Sequence, residues 1–97
     1  MKIIFDYIYR DTCYGEVRIE NKRRVEAQAE GLTEIVLPPC DKKVKVTVNG
    51  NAALVQFASG KQVTATFEKT PFAYEESYES FGDVRYMELN GTVRLEK

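Results

Sequence analysis

Residues 44–67, VKVTVNGNAALVQFASGKQVTATF, decide the fold of this chain. Valines alternate with polar residues from Val44 to Val48, which is the pattern of a strand with one buried face. The pair Asn49-Gly50 follows at once, and both residues tolerate the positive φ of a tight hairpin turn. A two-residue turn pairs even positions with odd ones, so the next strand presents its odd positions to the same face. The apolar residues at those positions are Ala53, Val55 and Phe57.

The second connection in this stretch, Ala58-Ser59-Gly60, has three residues with glycine last. That composition matches a type I turn followed by a glycine bulge. Because the loop length is odd, odd positions pair with odd positions, and Val63, Ala65 and Phe67 join the apolar face. Residues 44–67 therefore predict a three-stranded antiparallel meander.

A second Asn-Gly pair, Asn90-Gly91, lies near the end of the chain between two alternating runs. By the same reasoning it predicts a last hairpin with strands at 84–89 and 92–96. The side chains expected on the common face of this hairpin are Val84, Tyr86, Val93 and Leu95.

The first segment, 2–10, alternates as a strand but is apolar on both faces. One face holds Ile3, Phe5, Tyr7 and Tyr9, and the other holds Ile4, Asp6, Ile8 and Arg10. Such a strand is central in its sheet, or it is covered by a second sheet or a partner chain. We expect a turn at 11–13 after it and a two-fold homodimer through its second face.

Residues 21–31 fit two structures. A hairpin turn at Asn21-Lys22 is the favoured interpretation, because small apolar residues alternate with polar ones from Val25 to Glu30. The alternative is one short helix at 22–30, with Asn21 as its cap. Its basic residues would then crowd the positive end of the helix dipole, which opposes that alternative.

The rest of the chain also reads as short strands. A strand at 33–37 stops at Pro38-Pro39, and an extended segment at 72–79 is followed by a turn at 81–83. We therefore predict a single all-β domain, residues 1–97. Its antiparallel meander forms a β-sandwich or a flattened up-and-down barrel of about eight to ten short strands.

Composition narrows the class of protein. The 97 residues are 43% hydrophobic and 30% charged, with a net charge of −1, so no global field favours nucleic acid or an anionic membrane. Asp6 and Arg10 interrupt the apolar start before it reaches the length of a membrane span, and we expect a cytoplasmic protein. Cys13 and Cys40 are then expected as free thiols, with a single bridge between them as the alternative.

The chain has no histidine, which removes Ser-His and Cys-His catalysis and most zinc and iron sites. Glu75 and Glu79 lie on one face of their strand, but about 13 Å apart, too far to work as a pair. We therefore expect no enzyme, no cofactor and no metal.

The tyrosines carry the functional prediction. All six lie in two segments, 7–14 and 74–86, with acidic neighbours in the second. Tyrosine offers a large amphipathic contact area, so these segments predict a face that binds a protein partner. The alternative is that the first and last strands are neighbours and form one core layer with hydroxyls at its margin. The predicted binding residues are Tyr7, Tyr9, Tyr74, Glu75, Tyr78 and Glu79.

We accordingly expect a non-catalytic protein-interaction domain, such as an inhibitor, an adaptor or an assembly subunit. One alternative is a barrel that binds a small molecule or a lipid, lined by Val44, Val46, Val55, Val63 and Phe67. Another is a small nucleic-acid-binding barrel that uses the basic runs 22–24 and 42–45. Neither run is interleaved with aromatic residues, which makes nucleic acid the weaker alternative.

Overall fold

Strands run from almost one end of the chain to the other. The computed structural model describes residues 1–97 apart from the side chain of Ser80, and the described residues form eight strands and no helix. The strands are β1 (Lys2–Cys13), β2 (Glu16–Gln28), β3 (Leu32–Val36), β4 (Lys43–Asn49), β5 (Ala52–Gln56), β6 (Gln62–Ala65), β7 (Thr70–Ser80) and β8 (Asp83–Glu96).

Two antiparallel four-stranded sheets make up the fold. Sheet A has the order β2-β1-β8-β7, and sheet B has the order β3-β4-β5-β6. A backbone hydrogen bond from Leu95 N to Thr66 O (2.7 Å) joins the sheets at one end. The all-β prediction is confirmed, and the arrangement fits a small sandwich or a flattened barrel. The first and last strands pair along their length, as the core-layer alternative requires.

Sheet B follows the register predicted from residues 44–67. Val46 pairs with Val55 and Val55 pairs with Val63, so the three valines share one face. The first turn lies one residue later than predicted, at Gly50-Asn51, where Gly50 has a φ of 66°. The loop still has two residues, so the pairing of even with odd positions is unchanged. In the second loop Gly60 N donates to Phe57 O (2.9 Å), as expected for a turn at 58–60.

Phe67 does not join the apolar face, and that prediction is wrong. β6 ends at Ala65, two residues earlier, so the alternation no longer positions the ring. The side chain is 39% exposed, and the Lys97 ammonium lies 5.5 Å from the ring centroid.

The predicted hairpin at Asn90-Gly91 is also wrong. β8 continues through both residues because it pairs with β1 along its whole length, with Gly91 opposite Tyr7. A Cβ at Gly91 would clash with the carbonyl oxygen of Asp6 and lie 2.5 Å from Cα of Tyr7, so glycine permits a close approach here. Because β8 has no turn at these residues, its odd-numbered side chains stay on one face and its even-numbered side chains on the other, from Asp83 to Glu96. The residues that point inward are Met87, Leu89, Val93 and Leu95, whereas Val84 and Tyr86 take the opposite face.

The structure has neither of the elements predicted for residues 21–31. β2 is continuous through Asn21-Lys22, and residues 22–30 form no helix. β1 pairs with it from Lys2 opposite Gln28 to Cys13 opposite Glu16, which satisfies the backbone groups that a turn or a helix would otherwise have to satisfy. The turn before β2 is Tyr14-Gly15, not 11–13.

Aromatic rings fill the space between the sheets. Phe72 is stacked on Phe57 at 5.6 Å between ring centroids and meets Phe5 edge to face at 5.9 Å. Tyr74 is stacked on Phe57 at 5.3 Å. The largest fully buried side chains are Ile3, Ile4, Phe5, Leu37, Val46, Val55, Leu89, Val93 and Leu95.

β1 is central in sheet A, which explains why it is apolar on both faces. Ile4 is buried on the outer face, where its neighbours in register are Glu26 and Arg94. Long charged side chains cover apolar surface with their stems in this way. The homodimer inferred from this strand stays a prediction.

The two sheets differ in length. A strand of 14 residues such as β8 spans about 46 Å, which matches the 45 Å long axis of the molecule. Strands of sheet B have 4 to 7 residues and span about 13 to 23 Å. Sheet A therefore extends past sheet B as two adjacent hairpins. We call these hairpins, residues 11–20 and 77–86, the distal ribbon.

Candidate functional site

A buried carboxylate lies where sheet B ends and the distal ribbon begins. Asp11 continues the inward face of β1 and is 3% exposed. Its Oδ2 accepts hydrogen bonds from the hydroxyls of Tyr78 (2.7 Å) and Tyr9 (3.2 Å), and its Oδ1 accepts one from Nε of Arg85 (3.3 Å). A buried charge needs such partners, because an unpaired one is strongly disfavoured.

The strand register brings these partners together. β1 and β8 place Asp11 opposite Met87, and β7 and β8 place Tyr78 opposite Arg85, two residues further along. The side chains of these two pairs, Asp11 with Met87 and Tyr78 with Arg85, all lie on the inner face of sheet A. The network thus replaces the apolar core at the end of the sandwich.

The partners of Asp11 remain protonated at neutral pH. Burial raises the pKa of Tyr9 to about 12, and the charge of Asp11 adds to that shift. The hydrogen bond to Asp11 raises the pKa of Tyr78, and the Asp11 charge raises that of Arg85. Each of the three groups therefore keeps the proton that it donates.

A cleft of about 340 Å³ opens beside this network, between the β3–β4 connection and the inner face of sheet A. Tyr9 and Tyr78 line it, together with Asp41 and Glu76. Its apolar lining comes from Pro39, Cys40 and Met87.

The Glu76 carboxylate already holds two partners. Nζ of Lys42 donates to Oε1, and the hydroxyl of Tyr74 donates to Oε2 (3.2 Å). Burial raises the pKa of the Cys40 thiol, so Cys40 lines the cleft as an apolar group. Cys13 and Cys40 are both buried free thiols.

The two hairpin tips of the distal ribbon share an unusual turn. Each has an aromatic residue followed by glycine, and both residues have positive φ: 50° and 78° at Tyr14-Gly15, and 51° and 84° at Phe81-Gly82. Such φ values at both central residues define a type I′ turn, where asparagine or aspartate before glycine is the usual choice. Bulky residues rarely adopt this conformation.

Both tip aromatics are open to solvent. Tyr14 is 73% exposed and Phe81 is fully exposed. The Tyr14 hydroxyl donates to Oδ1 of Asp83 (2.9 Å), so the tips of the two hairpins touch. Val17 and Val84, exposed by more than half, lie in the strands next to the tips. We call Tyr14, Val17, Phe81 and Val84 the tip patch.

The side chains around the tip patch are mainly acidic. Glu16, Glu79 and Asp83 lie in or beside the turns, where Arg18 is the nearest exposed cation in sequence. Arg18 is within 3.4 Å of Glu16. The distal ribbon therefore presents apolar side chains in an acidic setting.

The residues predicted from sequence to bind a partner do not form one exposed face. Tyr7, Tyr9 and Tyr74 are buried in the core with their hydroxyls at its margin. Tyr7 donates to the carbonyl oxygen of Pro38. Tyr78 is half-buried, and the exposed residues Glu75 and Glu79 lie on the opposite face of β7.

The turn predicted at 81–83 is confirmed at Phe81-Gly82, but sequence reasoning missed the Tyr14-Gly15 turn, the exposure of Phe81 and the buried carboxylate. The available signal for the first tip was the pair Tyr14-Gly15, because glycine favours a turn. For Asp11 the available signal was its odd position, because the other odd-numbered residues of β1, from Ile3 to Tyr9, all point into the core.

The two basic runs are partly neutralised by acidic neighbours. In the first, Arg24 makes two hydrogen bonds to Asp6, of 2.7 and 3.1 Å. In the second, Lys42 pairs with Glu76, and Lys43 lies 3.5 Å from Glu34. Within the described part of the chain, no group of three or more Cys, Asp or Glu side chains is arranged to hold a metal. Nor does that part contain a helix long and apolar enough to cross a membrane.

Three comparisons were made with known proteins. No family model matches this chain, and no curated protein and no solved structure does either.

Proposed function

We propose that this chain is a non-catalytic protein-interaction domain that contacts its partner with the tip patch. The observation that carries the proposal is the pair of exposed aromatic residues at positive φ, Tyr14 and Phe81. The left-handed conformation costs an L-residue roughly 1–2 kcal/mol. Asparagine before glycine forms the same turn without this cost, so turn formation alone does not account for aromatic residues here.

Packing within the molecule does not compensate for this cost at Phe81, because its side chain is fully exposed. Backbone strain of this kind concentrates at functional sites. Aromatic side chains are also enriched at the centres of protein interfaces. Contact with another protein would bury the Phe81 ring, and the apolar area buried would offset the cost of the left-handed backbone.

The acidic setting of the tips indicates the chemistry of the partner. Glu16, Glu79 and Asp83 favour a basic surface around an apolar pocket. They oppose an anionic membrane for the same electrostatic reason. The partner is accordingly expected to be a protein with a basic rim.

The contact surface proposed here differs from the one expected from the sequence. Tyr7, Tyr9 and Tyr74 lie in the core between the two sheets, so they do not present this surface. The stacked rings of Phe57, Phe72 and Tyr74 occupy the interior, and this gives the ligand-binding barrel no support. We place the domain in the cytoplasm as part of the same proposal, with Cys13 and Cys40 kept as thiols.

A photo-reactive benzoylphenylalanine at position 81, introduced in cells of the native host, tests the proposal. We expect one discrete protein to be cross-linked. The same probe at Leu54, an exposed apolar residue of sheet B, is the matched control and should give no such adduct. Excess wild-type domain should suppress the adduct. Equal cross-linking from both positions, or none from position 81, would contradict the proposal.

A further inference from the structure

We infer that the cleft beside Asp11 binds a cationic side chain, arginine or lysine, presented by a protein. That the ligand belongs to a protein rests on the proposed function, whereas the preference for a cation follows from the residues that line the cleft. Its volume of about 340 Å³ lies near the lower end for ligand sites, roughly 300–1,000 Å³, which suits one long side chain.

The lining matches the two parts of such a side chain. Pro39, Cys40 and Met87 offer apolar surface for a hydrocarbon stem. The rings of Tyr9 and Tyr78 can pack against a cation, because the face of an aromatic ring carries negative potential. Their hydroxyls are already engaged by Asp11, which fixes both rings in place.

The charged end of the ligand would meet Glu76 and Asp41. Glu76 is mostly buried, with its side chain 22% exposed, so a bond to it is weakened less by solvent than a bond at the open surface. A guanidinium fits a carboxylate with two parallel hydrogen bonds, which an ammonium cannot do. Arginine is therefore the preferred ligand.

The chain's own Lys42 occupies the charged end of the cleft. Its Nζ donates to Glu76, while half of its side chain surface is exposed. Because the Lys42 side chain is half exposed, its ammonium can return to solvent at little cost, so an incoming arginine can displace it from Glu76. Lys42 thus acts as a tethered competitor for the ligand.

The cleft and the tip patch can serve one partner. Tyr78 lines the cleft, and Phe81 lies three residues further along the same hairpin, about 10 Å away. The partner's basic rim, expected from the acidic tips, would supply the side chain.

The test uses the two methionines of the chain as reporters. Protein labelled with ¹³C at the methionine methyl groups gives one signal from Met87, which lines the cleft, and one from Met1, at the far end of β1. Nα-acetyl-arginine methylamide should shift the Met87 signal saturably, with a dissociation constant on the order of 1 mM. Met1 should not move. The neutral isostere Nα-acetyl-citrulline methylamide should produce little shift.

Variants separate the charge from the apolar lining. Glu76→Gln should weaken binding of the arginine probe about fivefold. Glu75→Gln is the matched control, because Glu75 is adjacent in sequence but lies on the opposite face of β7, and it should leave the affinity unchanged. Lys42→Gln should strengthen binding about threefold, since it removes the competing charge without adding a third methionine.

The inference is overturned if the Met87 signal does not move, if citrulline shifts it equally, or if Glu75→Gln and Glu76→Gln have the same effect. These outcomes are independent of cross-linking from position 81. Loss of that cross-link with intact arginine binding would reject the proposed function alone, and the reverse result would reject this inference alone.

Discussion

The half of sheet A that packs on sheet B and the half that extends past it belong to the same four strands, yet different forces hold them. In the covered half, inward side chains such as Phe5 and Val93 are completely buried. In the distal ribbon the inward side chains include Asp11, Tyr78 and Arg85, joined by hydrogen bonds. The covered half is stabilised by apolar burial, and the distal ribbon by a polar network.

This difference separates stability from function within one sheet. Burying a large apolar side chain contributes about 1.5–3 kcal/mol, whereas a hydrogen bond contributes about 1 kcal/mol net. The covered half can therefore hold the strands in register while the ribbon keeps strained, exposed aromatics at its tips. Regions with few apolar contacts are also the ones that open most readily.

The largest expected effect compares one substitution in both halves. Phe72→Ala should lower the free energy of unfolding by about 4 kcal/mol, because it leaves a cavity between Phe5 and Phe57. Phe81→Ala should change it by less than about 0.5 kcal/mol, since the ring is exposed and alanine retains the turn strain. Urea denaturation measures both. Similar losses from the two variants would remove the distinction between the halves.

Gly91→Ala tests the close approach of β1 and β8 in the covered half. The added Cβ meets backbone atoms of Asp6 and Tyr7, so the strands must separate, at a cost of about 3 kcal/mol. Asn90→Ala, one residue earlier and exposed, is the control and should be nearly neutral. An alanine tolerated at position 91 would show that the two strands are not as close as described.

Asp11→Asn measures the polar network of the ribbon. It removes the charge that Arg85 and Tyr78 bind, and should cost about 2 kcal/mol. Asp6→Asn breaks an ion pair with Arg24 at the surface and should cost only about 0.5 kcal/mol. Hydrogen exchange of residues 11–20 should accelerate in the first variant only. Equal destabilisation by both would mean that Asp11 holds no special position.

Tyr9→Phe should give a smaller loss of stability than Asp11→Asn, and one that depends on pH. It removes one hydrogen bond to Asp11, at a cost of about 1 kcal/mol at neutral pH. The folded pKa of Tyr9, about 12, lies above its ordinary value of 10, so the protonated form is the stabilising one. That contribution is complete below pH 10 and is lost as the pH rises to 12. Denaturation at pH 9 and 11.5 should show a smaller decline for the variant than for the wild type.

Sequence patterns predicted sheet B better than sheet A, for a physical reason. In residues 44–67 loop length and apolar alternation agree, and each fixes the register independently. At Asn90-Gly91 the same dipeptide is overridden, because pairing of β8 with β1 satisfies more backbone groups than a turn would. β2 is a solvent-exposed edge strand from Glu16 to Arg24, where apolar residues alternate with polar ones only at Val17 and Ile19, so the pattern did not mark the full length of the strand.

The sequence predicted only part of the candidate site, because it does not show which face of a strand is buried. Alternation correctly separated Tyr74 and Tyr78 from Glu75 and Glu79, but it cannot say which side of a strand a second sheet covers. The structure shows that sheet B covers the tyrosine side. The turn at 81–83 was predicted, but an exposed aromatic at its tip was not, because Phe81-Gly82 contradicts the usual preferences of its turn type.

The free energy of unfolding of Phe81→Asn tests most directly whether Phe81 is present to contact a partner protein and not to stabilise the fold. Asparagine before glycine suits the type I′ turn, so the account predicts a gain of about 1 kcal/mol over the wild-type chain. A loss of stability in that variant would mean that the phenylalanine supports the fold, and the account of the tips would be contradicted.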